Sequence, residues 1–254
     1  MLKSEEKIRG KLSRRKKLRM KLLKSLAENE VSEKNIPRRH RKVAQMSMST
    51  GLYSFALSEC DPGYSELQHA TEWYRDAIRE YRTRRDSPKD NFEGETTLLD
   101  YLYCALLSGD NELFTEAAGL VRETEPEHYD RFDTQWRYSY TQALAALVLD
   151  AGDQREFLDD LERTIPDHDD AHERFFTALW IALAGIDEGD EGQFDDGVEQ
   201  FLEWHDGQVD FENKTSAEDL VCKQVAALVV LARHRGMAVR VDSEYVPDCV
   251  YKVA

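Results

Sequence analysis

"GDNELF" at residues 109–114, "GDQREF" at 152–157 and "GDEGQF" at 189–194 are three copies of one pattern, Gly-Asp-x-x-x-Phe. A phosphate-binding loop needs several glycines after a strand, and usually a lysine, so that backbone N–H groups and a cation meet the anion. Each copy here has one leading Gly, no Lys, and an Asp that would repel phosphate. The pattern joins two helices instead. Gly takes the left-handed conformation that ends a helix without a Cβ penalty, so Gly109, Gly152 and Gly189 each close one helix. Asp110, Asp153 and Asp190 are then strong N-caps for the next, with Glu156 and Gln193 at capping-box spacing in two copies. Phe114, Phe157 and Phe194 fall one turn into the second helix, where each packs back on the first.

The copies are 43 and 37 residues apart, close to the period of two-helix repeats. Three hairpins follow: 95–108 with 110–124, 130–151 with 153–164, and 167–188 with 190–205. Apolar spacing of three and four supports each. Phe132, Trp136, Tyr140, Ala143, Leu144 and Leu147 share a helix face, as do Leu99, Leu102 and Leu106, and Phe176, Leu179, Trp180 and Leu183. A last long helix spans 215–235 and stops at Gly236. Upstream, Asp61 and Pro62 start a helix over 63–85, preceded by another at about 38–59. "SPKDNFEGE" (87–95) is a polar loop, and 237–251 is an extended piece followed by a Pro-containing turn. Strand alternation is nearly absent. The expected fold is all-α: an irregular, repeat-like array of antiparallel helical hairpins with a short non-helical C-terminal cap.

Charge divides the chain. Residues 1–50 carry 16 Lys and Arg against 5 Glu, a net of +11, and the rest carries −27. The expected organisation is a basic N-terminal arm over 1–45, helical or mobile, and a single α-helical domain over 46–254. The acidic body has four lysines (Lys89, Lys214, Lys223, Lys252), a lysine-poor surface that resembles proteins of salt-loving archaea and keeps carboxylates hydrated. The arm could contact nucleic acid, an anionic membrane or a partner helix. Nucleic acid is disfavoured, since the arm lacks interleaved aromatics and the body would repel a duplex.

No apolar run approaches the roughly 18 residues of a membrane span, and no secretory signal follows the basic start, so a cytoplasmic protein is expected. Cys60, Cys104, Cys222 and Cys249 are far apart with no C-x-x-C, and read as reduced packing residues rather than a zinc site or disulfide framework.

Candidate chemistry is sparse. In "DHDDAHE" (167–173), His168 and His172 have the i,i+4 spacing of a shared metal, with Asp169 or Glu173 as third ligand, which would suit a metal-dependent hydrolase. A helix start with acids in its first turn explains the same residues better. Glu203, His205 and Asp206 beside Trp204 could form an acid–base group, but such clusters at helix ends are usually solvated termini. No catalytic motif is present, and neither an enzyme activity nor a metal or cofactor is expected.

The closing stretch, "KQVAALVVLARHRGMAVRVDSEYVPDCVY" (223–251), resembles the closing signature of the immunity protein 49 family of polymorphic-toxin immunity proteins. The positions are Ala232, Arg233 and Gly236 in the helix-ending turn, then Asp242, Ser243, Tyr245 and Pro247. "FFTALWIALAGIDEGDEGQFDDGVEQFLEWH" (175–205) is similar to the family's helix, Gly-Asp corner and following helix. The resemblance implies a cytoplasmic protein that binds a cognate toxin and blocks it, and it brings no catalytic residues. Gly236, Tyr245 and Pro247 have a structural role: stopping the helix and fixing the terminal turn. The expected toxin contact is the acidic face around the third corner, Asp187, Glu188, Asp190, Glu191, Asp195, Asp196 and Glu199, which could plug a basic channel. A helical scaffold for several proteins, tethered by the basic arm, is the alternative.

Overall fold

The computed structural model describes residues 2–28, 30–83, 94–124, 135–165, 170–209 and 216–252. Among them are eleven α-helices and no strand: α1 Leu2–Ala27, α2 Ile36–Ala56, α3 Cys60–Thr83, α4 Gly94–Ser108, α5 Asn111–Arg122, α6 Gln135–Leu149, α7 Gln154–Thr164, α8 Asp170–Glu188, α9 Glu191–Gln208, α10 Ala217–Leu220 and α11 Lys223–His234. The expected loop at 87–95 lies outside the described residues up to Gly94, where α4 begins.

The helices sort by pattern into inner and outer positions. α6 is buried continuously from Ser139 to Val148, and α11 from Val225 to Ala232; α4 is buried from Tyr101 to Ser108. Helices apolar around their whole circumference must lie inside. α7 buries only Leu158 and Leu161, and α9 a single stripe of Phe194, Gly197, Val198, Phe201 and His205, so both stay outside. Hairpin partners α4–α5, α6–α7 and α8–α9 pack together, and α11 seats against α4, α8 and α9.

All four helix-ending glycines adopt left-handed φ, from 68° at Gly189 to 88° at Gly236. They gather at one end of the array. Arg235 donates to Asp150 at 2.5 Å, the Ala238 amide donates to Glu191 at 2.7 Å, and the His234 ring meets Phe114 at 4.8 Å. Asp110 accepts from the Glu112 and Leu113 amides, and Asp190 from Gln193, so corners one and three are capped. Corner two departs from expectation. Asp153 makes no cap because its carboxylate pairs with Arg122, whose guanidinium also reaches Gln142 and lies 4.7 Å over the Phe157 ring. Asp150 takes up part of that turn with its own φ of 51°. The reciprocal capping box occurs instead at Ser216 and Asp219.

Two further expectations are corrected. The single helix over 215–235 is two, α10 and α11, because the Cys222 amide donates to the Tyr245 carbonyl of the C-terminal cap rather than continuing the helix. That cap ends in a 3-10 turn, Asp248–Lys252. The cysteines are not all reduced: Cys60 and Cys249 form a disulfide, tying the start of α3 to the chain end across 189 residues. Tyr64 reinforces that junction by donating to the Cys249 carbonyl. Cys104 and Cys222 are buried thiols, and burial pushes Cys222 up to about 12.

The basic segment is helix α1, which packs on α2 with Leu12 buried and Ile8 against the core. Arg9 pairs with Glu59 at 2.6 Å, and Arg19 with Glu66. α2 runs through residues 45 and 46 without interruption. No helix among the described residues is long and apolar enough to cross a membrane.

Candidate functional site

The seven carboxylates around the third corner divide into two groups. Asp187 accepts from Gln154 at 2.9 Å, Glu188 pairs with Arg155 at 2.6 Å, Asp190 caps α9, and Glu191 receives the Ala238 amide. Asp187 and Glu188 hold the corner to α7, Glu191 holds it to the C-terminal cap, and Asp190 serves its own helix. Asp195, Asp196 and Glu199 face solvent and make no hydrogen bond or ion pair with any described residue. Partial burial, with Glu191 and Asp196 close by, pushes the Asp195 carboxyl up from its ordinary range.

The exposed acids continue along α9. Asp196, Glu199, Glu203 and Asp206 follow steps of three, four and three, which is one helix face. Glu203, His205 and Asp206 are thereby separated: Glu203 is exposed, His205 is buried with its ring 4.8 Å from Tyr245, and Asp206 accepts from the Tyr245 hydroxyl at 2.5 Å. They form no acid–base group.

Trp204, on the last turns of the same helix, belongs to a cleft of about 290 Å³ at the end of the array opposite the corners. The N-terminal parts of three helices line it: Thr96, Leu99, Asp100 and Tyr103 from α4, Trp136, Arg137 and Tyr140 from α6, and Phe175, Phe176 and Leu179 from α8, with Lys223 and Gln224 from α11. The rings interlock. Trp136 stacks obliquely on Phe176 at 3.6 Å, Phe176 meets Phe175 edge-on at 4.5 Å, and Phe175 meets Trp204 edge-on at 4.6 Å. Arg137 lies 4.6 Å over Trp136.

Four polar groups of the cleft wall, Lys223, Asp100, Tyr103 and Tyr140, are already hydrogen-bonded. Lys223 donates to Asp100 and to Glu218, both at 2.8 Å, and Tyr74 donates to the other Asp100 oxygen at 3.1 Å. Burial alone would lower the Lys223 ammonium, but the two carboxylates hold it above its ordinary range. Tyr103 and Tyr140 share a hydrogen bond of 2.8 Å, and burial first, then the neighbouring hydroxyl, pushes the Tyr103 phenol well up. The sequence places each of these rings in a helix, but not on a common surface. The available signal was the recurrence of aromatics in the N-terminal parts of alternate helices.

His168 and the side chain of His172 lie outside the described residues. Among the described residues no group of three or more His, Cys, Asp or Glu is arranged to hold a metal. Tyr245 and Pro247 shape the C-terminal cap: the Tyr245 carbonyl takes the Cys222 amide, and the Pro247 carbonyl takes that of Val250.

The model of immunity protein 49 matches residues 42–249, from within α2 to the disulfide cysteine. The chain belongs to the immunity protein 49 family. The match spans every corner, the α9 face and the cleft, and leaves out helix α1. Comparison with curated proteins and with solved structures finds no match. Family membership therefore carries a general role in toxin immunity.

Proposed function

We propose that this immunity protein neutralises a cognate toxin by direct, stoichiometric binding in the cytoplasm, with no chemistry of its own. The observation that carries the reading is the family match across nearly the whole helical array. The exposed carboxylates Asp195, Asp196 and Glu199 support it, since acids at the surface that pair with no described residue are available to a cationic protein surface and speed its approach. Asp187, Glu188, Asp190 and Glu191 serve the contact by fixing the corner that presents them.

The test is co-expression with the product of the adjacent reading frame, scoring host viability and co-purification. Rescue with a 1:1 complex supports the reading, and a charge-reversed Asp195→Lys, Asp196→Lys, Glu199→Lys chain should lose rescue while keeping its helicity. No rescue and no complex by the wild-type chain sinks it, and capture of several unrelated proteins favours the scaffold. Cytoplasmic action further requires a fold that holds with the Cys60–Cys249 bridge reduced. A Cys60→Ser chain should therefore still rescue.

A further inference from the structure

We infer that the aromatic cleft is the anchor pocket of the toxin interface, taking one large apolar side chain, aromatic by preference, from a segment flanked by basic residues. The inference rests on the toxin-binding reading above and gives it a partner chemistry.

Size sets the first limit. At about 290 Å³ the cleft lies at or below the lower bound of sites built for cofactors or drug-sized ligands, which begin near 300 Å³. It suits one side chain. The wall sets the second limit. Trp136, Phe176 and Leu179 are buried, Phe175 and Trp204 half-buried, so rings line both the depth and the rim. Ring walls favour an apolar or aromatic guest through edge and face contacts, and large aromatic side chains are the commonest anchors of protein interfaces.

Charge sets the third. Lys223 and Asp100 neutralise one another at the cleft, Tyr103 and Tyr140 satisfy each other, and the Arg137 guanidinium lies over the Trp136 ring, where it repels a cationic guest. A neutral guest leaves these bonds intact, whereas a charged one would have to break them in a poorly solvated place. Outside, the exposed face of α9 runs from Asp196 through Glu199 and Glu203 to the turns that carry Trp204 and Asp206. A basic segment laid on that ridge brings its apolar side chain to the rim. One helix thus carries both, the acids along its exposed face and Trp204 at the cleft near its end.

The test uses the full chain labelled with fluorotryptophan at its 4 tryptophans, Trp73, Trp136, Trp180 and Trp204, each assigned by substitution with Phe. Three peptides are titrated by ¹⁹F NMR: Lys-Arg-Trp-Arg-Lys, the same peptide with Ser for Trp, and Glu-Asp-Trp-Asp-Glu. The first should move the Trp136 and Trp204 signals and leave Trp73 and Trp180 in place, with the other two at least about tenfold weaker. Thr96→Trp, an exposed substitution at the rim, should occlude the cleft and abolish the shifts without loss of helicity. Equal response to the Ser peptide, or shifts that survive Thr96→Trp, would overturn the anchor. In parallel, Thr96→Trp should abolish toxin rescue. Wild-type rescue that persists in Thr96→Trp rejects the cleft alone, and absence of wild-type rescue rejects the toxin reading and the anchor with it.

Discussion

At the corner end, four glycines turn four helices by their own backbone φ, Asp110 and Asp190 cap amides two or three positions on, and bonds such as Arg235 to Asp150 and Ala238 to Glu191 then tie the finished turns together. At the cleft end, Lys223 reaches Asp100 across 123 positions, Tyr140 reaches Tyr103 across 37, and Asp100 reaches Tyr74 across 26. The turns at one end form by local backbone chemistry, whereas the buried polar bonds at the other exist only by long-range pairing. A local turn tolerates the loss of a single side chain, because backbone geometry and neighbouring contacts remain. A buried pair does not, because removing one member leaves the other desolvated and unmatched.

The largest expected effect therefore lies at the cleft end. Lys223→Met should cost about 3–5 kcal/mol in chemical denaturation, since Asp100 would be left without its cationic partner in a nearly closed site. The double variant Lys223→Met, Asp100→Leu should recover much of that loss, because a buried pair replaced by apolar groups can be close to neutral. A cost below about 1 kcal/mol for the single variant would show that solvent reaches the pair and that the contrast between the ends is false.

The same cluster fixes the alkaline limit. Burial, then Asp100, pushes the Tyr74 phenol well up, and burial does the same to Tyr103. Unfolded tyrosine loses its proton near pH 10, and unfolded lysine slightly above, while the folded groups hold theirs. Folded pKa values above unfolded ones mean that the stabilisation is complete below about pH 10 and is lost as the pH rises further. Stability should fall above about pH 10, with the last part of the tyrosinate absorbance, that of the buried phenols, appearing together with loss of helicity. Absorbance for all 11 tyrosines in a fully helical protein would place these phenols in contact with water.

The next effect tests the close packing of the third hairpin. A Cβ on Gly197 would stand 2.4 Å from the Ala182 amide nitrogen and 2.8 Å from the Ala178 carbonyl oxygen, both backbone atoms of α8. Gly197→Ala should separate α8 from α9 at a cost of about 1–3 kcal/mol. Gly119, inside α5, has nothing within 4 Å of the same position, so Gly119→Ala should stabilise by up to about 1 kcal/mol. Equal effects at the two sites would refute close packing of the third hairpin.

What the sequence revealed follows the same division. Helix-ending glycines, apolar periodicity and the acidic face of α9 each depend on neighbours in the chain, so the all-α array was legible. The Cys60–Cys249 bridge, the Tyr245 carbonyl that breaks the last helix, and the convergence of Trp136, Phe176 and Trp204 depend on which helices become neighbours in space. No local pattern encodes that. Asp153 shows the limit within a single motif: its Gly-Asp copy matches the other two, yet Arg122, 31 positions away, captures the carboxylate that would have capped α7.

The smallest effect separates those three copies. Asp110→Ala removes two amide hydrogen bonds from the start of α5 and should cost about 1 kcal/mol, nearly independent of salt. Asp153→Ala removes no cap. It breaks a half-exposed ion pair with Arg122, a loss expected at about 0.2–1 kcal/mol and shrinking as salt screens the pair. Denaturation of both variants at low and at high salt distinguishes the two roles. If Asp153→Ala matched Asp110→Ala at high salt, Asp153 would be capping α7 in solution, and the three corners would be alike in function as well as in sequence.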